Sequence, residues 1–261
     1  MSAPPEDAGS EPRALAELTL RIEEVRARIT SAAVAAGRAA DAVTLIGVTK
    51  THPVGTAALA LEAGLVDLAE NRVGELTVKV EAVPLARWHL IGRLQRNKVR
   101  EVVGRAALVH SVDRVDLAEA ISRRATARGL VQAVLVQVNV GDDPAKGGCS
   151  LAEAAGLVAY ARELPGVRVE GLMTVPPLPP SGVAALDGAR PHFSALREVR
   201  DRLGTEPAPG SVAGATEDGL HLSMGMSEDL EAAVAEGATM VRIGTALFGR
   251  RPAVAVAEDG R

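Results

Sequence analysis

Ala133-Val-Leu-Val-Gln-Val-Asn-Val140 is an eight-residue run, almost wholly apolar, β-branched and free of proline and glycine. It reads as a strand buried on both faces. Helical spacing from Leu151 to Leu164 then leads into a second strand, Val167-Arg-Val-Glu-Gly-Leu-Met173. A strand, a helix and another strand in that order form a parallel crossover unit.

Outward from that unit the pattern repeats. Upstream lie strands at Val43 to Thr49, Val66 to Ala69, Arg87 to Ile91 and Leu108 to Val112. Helices separate them at Pro53 to Gly64, at Val73 to Val83, from near Gln95, and at Val115 to Arg128. Downstream come a helix from Pro191 to Leu203, the strand His221 to Met224, a helix from Glu228 to Glu236 and the strand Met240 to Ile243. Ser227 is the expected N-cap of the last helix, with Glu228 and Asp229 favourably placed in its first turn.

Eight strands alternating with helices predict an α/β fold, a single TIM-type (β/α)8 barrel. An open doubly wound sheet would carry a glycine-rich turn after its first strand. Gly47 instead lies within that strand, and no glycine cluster follows it. Leu15, Leu18, Ile22, Val25 and Ile29 recur at helical spacing, which adds an N-terminal helix expected to cover the open bottom of the barrel. The organisation expected is a flexible leader over 1–12, the barrel over 13–250 and a flexible tail over 251–261.

Composition narrows the function. The 261 residues are 47% hydrophobic, enough for a full-sized core, and their net charge of −4 gives no general attraction to phosphate backbones. Only Trp88, Tyr160, Phe193 and Phe248 are aromatic, so stacking platforms for nucleic-acid bases are not expected. The basic stretch Gly92 to Arg100 lacks interleaved aromatics and reads as helix-start solvation or a partner contact. Cys149 is the single cysteine, which excludes an internal disulfide and a cysteine-rich metal site, and a reducing cytoplasm is the expected location. No apolar run reaches the roughly twenty residues needed to span a bilayer. His89, His110 and His221 stand far apart in sequence; convergence on a metal is conceivable, with structural roles as the default.

Lys50 carries the leading chemical idea. It is one of four lysines among 29 basic residues, the others being Lys79, Lys98 and Lys146. It emerges where the first strand gives way to a loop, which is where barrel enzymes keep carbonyl-binding lysines. A surface lysine at a strand end is the plain alternative. In a barrel the strand ends converge, so Asn71, Gly92, Ser111, Asn139, Met173, Ser223 and Arg242 to Thr245 are further candidates for the mouth. Gly244 permits close approach of an anion and Thr245 adds a hydroxyl, which suits phosphate, although two tight turns would look the same. Ser223 to Ser227 could supply a second set of donors. A phosphate clamp opposite an amine points to pyridoxal 5'-phosphate. An arginine at 242 facing the pyridine nitrogen would disfavour its protonation, being charged and donor-only. Pointing outward, Arg242 would be a solvated rim charge.

The chain resembles the YggS/PROSC family, pyridoxal phosphate homeostasis proteins whose barrel is similar to the N-terminal domain of alanine racemase. The resemblance runs from about Leu15 to Gly249 and rests on ordered motifs: Val48-Thr-Lys-Thr-His-Pro53, Glu70-Asn-Arg-Val73, Trp88-His-Leu-Ile-Gly-Arg-Leu-Gln-Arg-Asn-Lys98, His110-Ser-Val-Asp-Arg114, Gly171-Leu-Met173, Leu222-Ser-Met-Gly-Met-Ser227 and Val241-Arg-Ile-Gly-Thr-Ala-Leu-Phe-Gly249. It implies that Lys50 is the Schiff-base lysine, that Ser223, Gly244 and Thr245 lie near phosphate, that Arg242 takes the pyridine-facing position, and that Asn71 lines the pocket. Ala69 departs from the family's usual glycine, which is tolerable only if that position does not need positive φ. The proline-rich segment Val175 to Gly182 is expected to alter the pocket rim.

Two-base racemisation needs a proton donor or acceptor on each face of the substrate. In alanine racemases the opposing tyrosine comes from a second domain and another subunit. Here the sole tyrosine, Tyr160, falls in an expected outer helix. The resulting expectation is a monomer that binds pyridoxal phosphate covalently, buffers it and delivers it to apo-enzymes, without efficient turnover of common amino acids. A single-domain pyridoxal phosphate-dependent racemase and a sugar-phosphate binder are the alternatives.

Overall fold

The structure, a computed structural model, describes residues 10–177, 185–204 and 219–249. Residues 1–9 of the expected leader, the expected tail over 251–261 and most of the proline-rich segment lie outside these. Eight parallel strands close on themselves in chain order: β1 (Thr44–Val48), β2 (Asp67–Glu70), β3 (Arg87–Leu90), β4 (Leu108–Val112), β5 (Gln132–Gln137), β6 (Val167–Met173), β7 (His221–Ser223) and β8 (Met240–Ile243). The helices are α1 (Ser10–Ala35), α2 (Val54–Glu62), α3 (Val73–Ala82), α4 (Val99–Val102, after a 3-10 turn at Arg96–Lys98), α5 (Val115–Thr126), α6 (Ala154–Glu163), α7 (Ala185–Arg202), α8 (Leu230–Ala235) and α9 (Thr245–Phe248). Among the described residues no helix is long and apolar enough to cross a membrane.

Burial explains why these segments settle as they do. All six residues of β5 are buried, as expected of a strand covered on both faces. Helix α5 turns Leu117, Ala118, Ile121 and Ala125 inward while Arg123 stays exposed. Each fully buried leucine or isoleucine there contributes about 1.5–3 kcal/mol relative to leaving it in water. The main core fills the space between sheet and helices. A separate small cluster of Ile46, Val48, Ala69, Leu108, Ala133, Leu135, Met173 and Met240 fills the barrel itself. Ala69 is fully buried in that cluster and is not among the residues with positive φ, so alanine fits there without strain.

Three local readings differ from expectation. α1 packs against α2, α8 and α9, taking a place in the outer helix layer instead of capping the bottom. Its buried stripe of Leu18, Ile22, Val25, Ile29 and Ala33 runs most of the helix's length and needs a wall equally long. Pro191 lies inside α7, which begins six residues earlier. Ser227 does not cap α8: the helix starts after Asp229, Asp229 Oδ1 accepts from Met226 N–H at 2.5 Å, and Ser227 sits in the preceding turn.

Candidate functional site

β1 and β8 pair in parallel register, Ile46 with Arg242 and Gly47 with Ile243. Both strands therefore end on the same rim. Continuing that register sets Gly244 beside Val48: a β-carbon on Gly244 would lie 3.4 Å from the Val48 carbonyl oxygen. Lys50, two residues beyond Val48, and the Gly244–Thr245 turn are thus neighbours at the C-terminal mouth, where barrel chemistry collects.

The Lys50 loop is held from three sides. His52 N–H donates to Thr49 O at 3.0 Å, closing a four-residue turn with Lys50 and Thr51 at its centre. Thr51 has φ +68°, so the turn is of type II, whose third position ordinarily takes glycine. A threonine in that conformation stores roughly 1–2 kcal/mol of strain. Thr51 N–H is tied to Glu75 Oε2 at 2.8 Å, and Lys79 Nζ donates to Thr49 O at 2.8 Å from behind. The His52 ring packs on Phe248 at 5.7 Å between centroids, joining this loop to α9.

Asn71 follows β2 and is exposed at the same end of the barrel. Gly92, just past β3, crosses it so closely that a β-carbon would lie 1.9 Å from the Asn71 carbonyl oxygen. Only glycine fits.

Arg242 is buried, which removes the outward, solvated alternative. Its Nη1 donates to Ser223 Oγ at 2.8 Å and its Nη2 to Thr174 O at 2.8 Å. Burial lowers its pKa to about 10, with the charge of Asp229 opposing; it stays protonated at neutral pH. Ser223 is fully buried, and its oxygen is also 2.9 Å from His110 Nδ1. Behind it, His110 Nε2 is 3.0 Å from His89 Nδ1, and His89 Nε2 is 2.9 Å from Asp67 Oδ1. Arg87 grips both oxygens of Asp67. Burial alone would raise the Asp67 carboxyl, but bonds from His89 and Arg87 outweigh it and hold the pKa below the ordinary value. Burial first, and then the charge of Arg242, push His110 far below its usual value, so the ring is neutral.

The other sequence candidates divide. Thr245 is exposed at the start of α9, beside Lys50. Ser227, read from the sequence as a helix cap, reaches the same turn: its Oγ is 3.4 Å from Ala246 N. It closes the stretch Ser223 to Ser227 that the sequence offered as a second set of donors. Asn139 exchanges hydrogen bonds with the Asp143 backbone and pins its own loop. Ser111 and Met173 are buried. Among the described residues no three histidine, cysteine or acidic side chains could share a metal. Lys79 is buried on Glu70, Lys98 pairs with Glu101 at 3.0 Å, and Lys146 donates to the Pro176 carbonyl.

Comparison with known proteins adds the following. Residues 23–252 match the family described as alanine racemase, N-terminal domain. The "Pyridoxal phosphate homeostasis protein" of Aquifex aeolicus is 44% identical over 233 residues, covering 88% of this chain and 97% of that one. The solved structure of PipY from Synechococcus elongatus with PLP bound has a TM-score of 0.71 and 32% identity, over 89% of this chain and all of that one. An alanine racemase from Clostridium difficile 630, solved with cycloserine, has a TM-score of 0.69 at 18% identity over 93% of this chain and 62% of its own, a likeness of fold alone.

Proposed function

From the premise that the chain belongs to the YggS/PROSC family of pyridoxal phosphate homeostasis proteins, we propose that it binds pyridoxal 5'-phosphate at Lys50, buffers it in the cytoplasm and yields it to apo-enzymes. The observation that carries this reading is the adjacency of Lys50 and the Gly244–Thr245 turn on paired strands at one rim. When bound, the cofactor supplies an aldehyde that condenses reversibly with a primary amine. The residues present suit it. Lys50 offers the amine, the backbone of Gly244 and Thr245 with the Thr245 and Ser227 hydroxyls offers donors to a phosphate, and Asn71 edges the pocket. Arg242 is donor-only and still charged, so it would bond the pyridine nitrogen in its unprotonated form. In this reading Ser223 acts behind Arg242, since its hydroxyl is engaged with Arg242 and His110.

The placement of the tyrosine supports storage over turnover. Tyr160, the only tyrosine of the sequence, lies on the outer helix α6 with its hydroxyl donating to Glu119 of α5 at 2.8 Å. Borohydride reduction of the loaded protein followed by peptide mapping tests the site: the adduct is expected on Lys50 and is lost in Lys50→Ala, which keeps its fold. A main adduct on Lys79, Lys98 or Lys146 would refute the assignment. Rapid amino-acid racemisation or transamination by saturated protein would favour the racemase alternative, and failure to bind pyridoxal phosphate at all would favour a sugar-phosphate binder.

A further inference from the structure

The polar chain through the barrel has one set of proton positions that gives every donor an acceptor. Arg242 can only donate, so Ser223 Oγ accepts from Nη1. The Ser223 proton then has His110 Nδ1 as its acceptor, which leaves the His110 proton on Nε2. His89 Nδ1 must accept from that proton, and the remaining His89 proton sits on Nε2, pointing at the Asp67 carboxylate. All four bonds then run the same way, from Arg242 to Asp67. The reverse polarity sets the His89 Nε2 lone pair against a carboxylate and strands the Ser223 proton.

We propose that Asp67, at the opposite end of the barrel from the mouth, is a positioning residue for the cofactor pocket, fixing His89 and His110 as Nε2–H tautomers and so aiming the Ser223 lone pair at Arg242. A buried carboxylate that accepts from one ring nitrogen decides which nitrogen carries the proton. Here the decision passes through two rings and a hydroxyl. Arg242 is fixed with its charge facing a lone pair, and its remaining donors stay directed away from the chain. The link to the cofactor rests on Arg242 serving the pyridine ring as proposed above; the tautomers do not.

Two-bond nitrogen–proton correlation spectra of isotopically labelled, cofactor-free protein report the protonation of each ring nitrogen. Both His89 and His110 are expected to carry Nε2–H. Asp67→Asn is expected to keep its carboxamide oxygen on Arg87 Nη2 and to turn its NH2 to His89 in place of Oδ1, releasing Arg87 Nε and reversing both rings to Nδ1–H. Ser223→Ala removes the other end and leaves both rings as Nε2–H, because Asp67 sets them. Nδ1–H on either ring in the wild type overturns the proposal, as does a His110 ring that ignores Asp67→Asn or reverses in Ser223→Ala. Should Asp67→Asn not fold, the wild-type and Ser223→Ala spectra still decide. Pyridoxal phosphate titration gives the second readout: Asp67→Asn is expected to weaken binding about tenfold. Reversed rings with unchanged affinity would overturn the link to the pocket. Failure of the wild type to bind the cofactor would overturn the functional reading, while the spectra alone judge the tautomers.

Discussion

Lys79 Nζ lies 2.6 Å from Glu70 Oε1, and both side chains are buried directly behind the Lys50 loop. The same carboxylate oxygen accepts from Thr49 Oγ1 at 2.5 Å, and the amine also holds Thr49 O. Burial pushes the Glu70 carboxyl up in pKa, against the opposing pull of Lys79 and Thr49. The pair thus joins β2 and α3 to the last residue before Lys50. Lys79→Met strips the carboxyl of its charge partner, and a loss of roughly 3–5 kcal/mol is expected. Replacing both charges in Lys79→Met/Glu70→Leu should recover most of it, since no uncompensated charge remains and only the Thr49 hydroxyl loses its acceptor. Chemical denaturation of the three proteins checks this; a double variant as unstable as the single one would contradict it.

The turn that presents Lys50 is strained at Thr51, whose φ of +68° suits glycine. Thr51→Gly is expected to be as stable as the parent or up to ~1 kcal/mol more so, because relief of the left-handed conformation offsets the extra freedom of the unfolded chain. Pyridoxal phosphate affinity is expected to fall in the same variant, because the Lys50 turn loses stiffness. A variant that loses stability and binds normally would show that the strain has no part in the site.

The crossing of Gly92 over Asn71 gives a steric prediction. A β-carbon 1.9 Å from a carbonyl oxygen forces the backbone to move. Gly92→Ala should cost about 1–3 kcal/mol and weaken cofactor binding by displacing Asn71. Gly156→Ala is the control. Gly156 lies in α6 with nothing within 4 Å of an added β-carbon, and alanine there should gain about 0.5–1 kcal/mol. Equal behaviour of the two variants in thermal melts would refute the crossing.

The parts of the fold legible in the sequence were those written in local periodicity. β4, β6 and β8 begin and end where their apolar runs do, and Lys50 falls on the rim because β1 ends where its apolar run ends. Side-chain pairing across strands has no such local trace. His89, His110 and Ser223 are separated by 21 and 113 residues and read singly as structural; only barrel closure makes them consecutive links. Ser227 looked like a cap because acidic residues follow it, yet Asp229 bonds backward to Met226 N–H and delays α8. Lys79 sits at a helical position no different in pattern from a surface lysine. Its burial becomes visible only once Glu70 and Thr49 lie beneath it.

The neutral rings of the barrel interior predict a loss of stability on mild acidification. His110 and His221 both have folded pKa values below 6.5, lowered first by burial. Above that value neither folded nor unfolded chain carries the proton, and there is no penalty. As pH falls through 6.5 the unfolded chain takes up protons that the folded rings refuse, so stability drops toward a slope of about 1.4 kcal/mol per pH unit for each ring. The lowered carboxyl of Asp67 adds its own loss only further down, as pH falls below 3.8. Glu70 and Asp229, whose carboxyls burial raises, contribute with the opposite sign near the bottom of the range. The histidine share is therefore read as a difference. Denaturant titrations at about pH 7.5 and about pH 5.5 should show a steeper loss in the wild type than in His110→Gln, by up to roughly 1 kcal/mol. Parallel losses in the two proteins would mean that His110 takes up its proton in the folded state and that its ring is not held neutral.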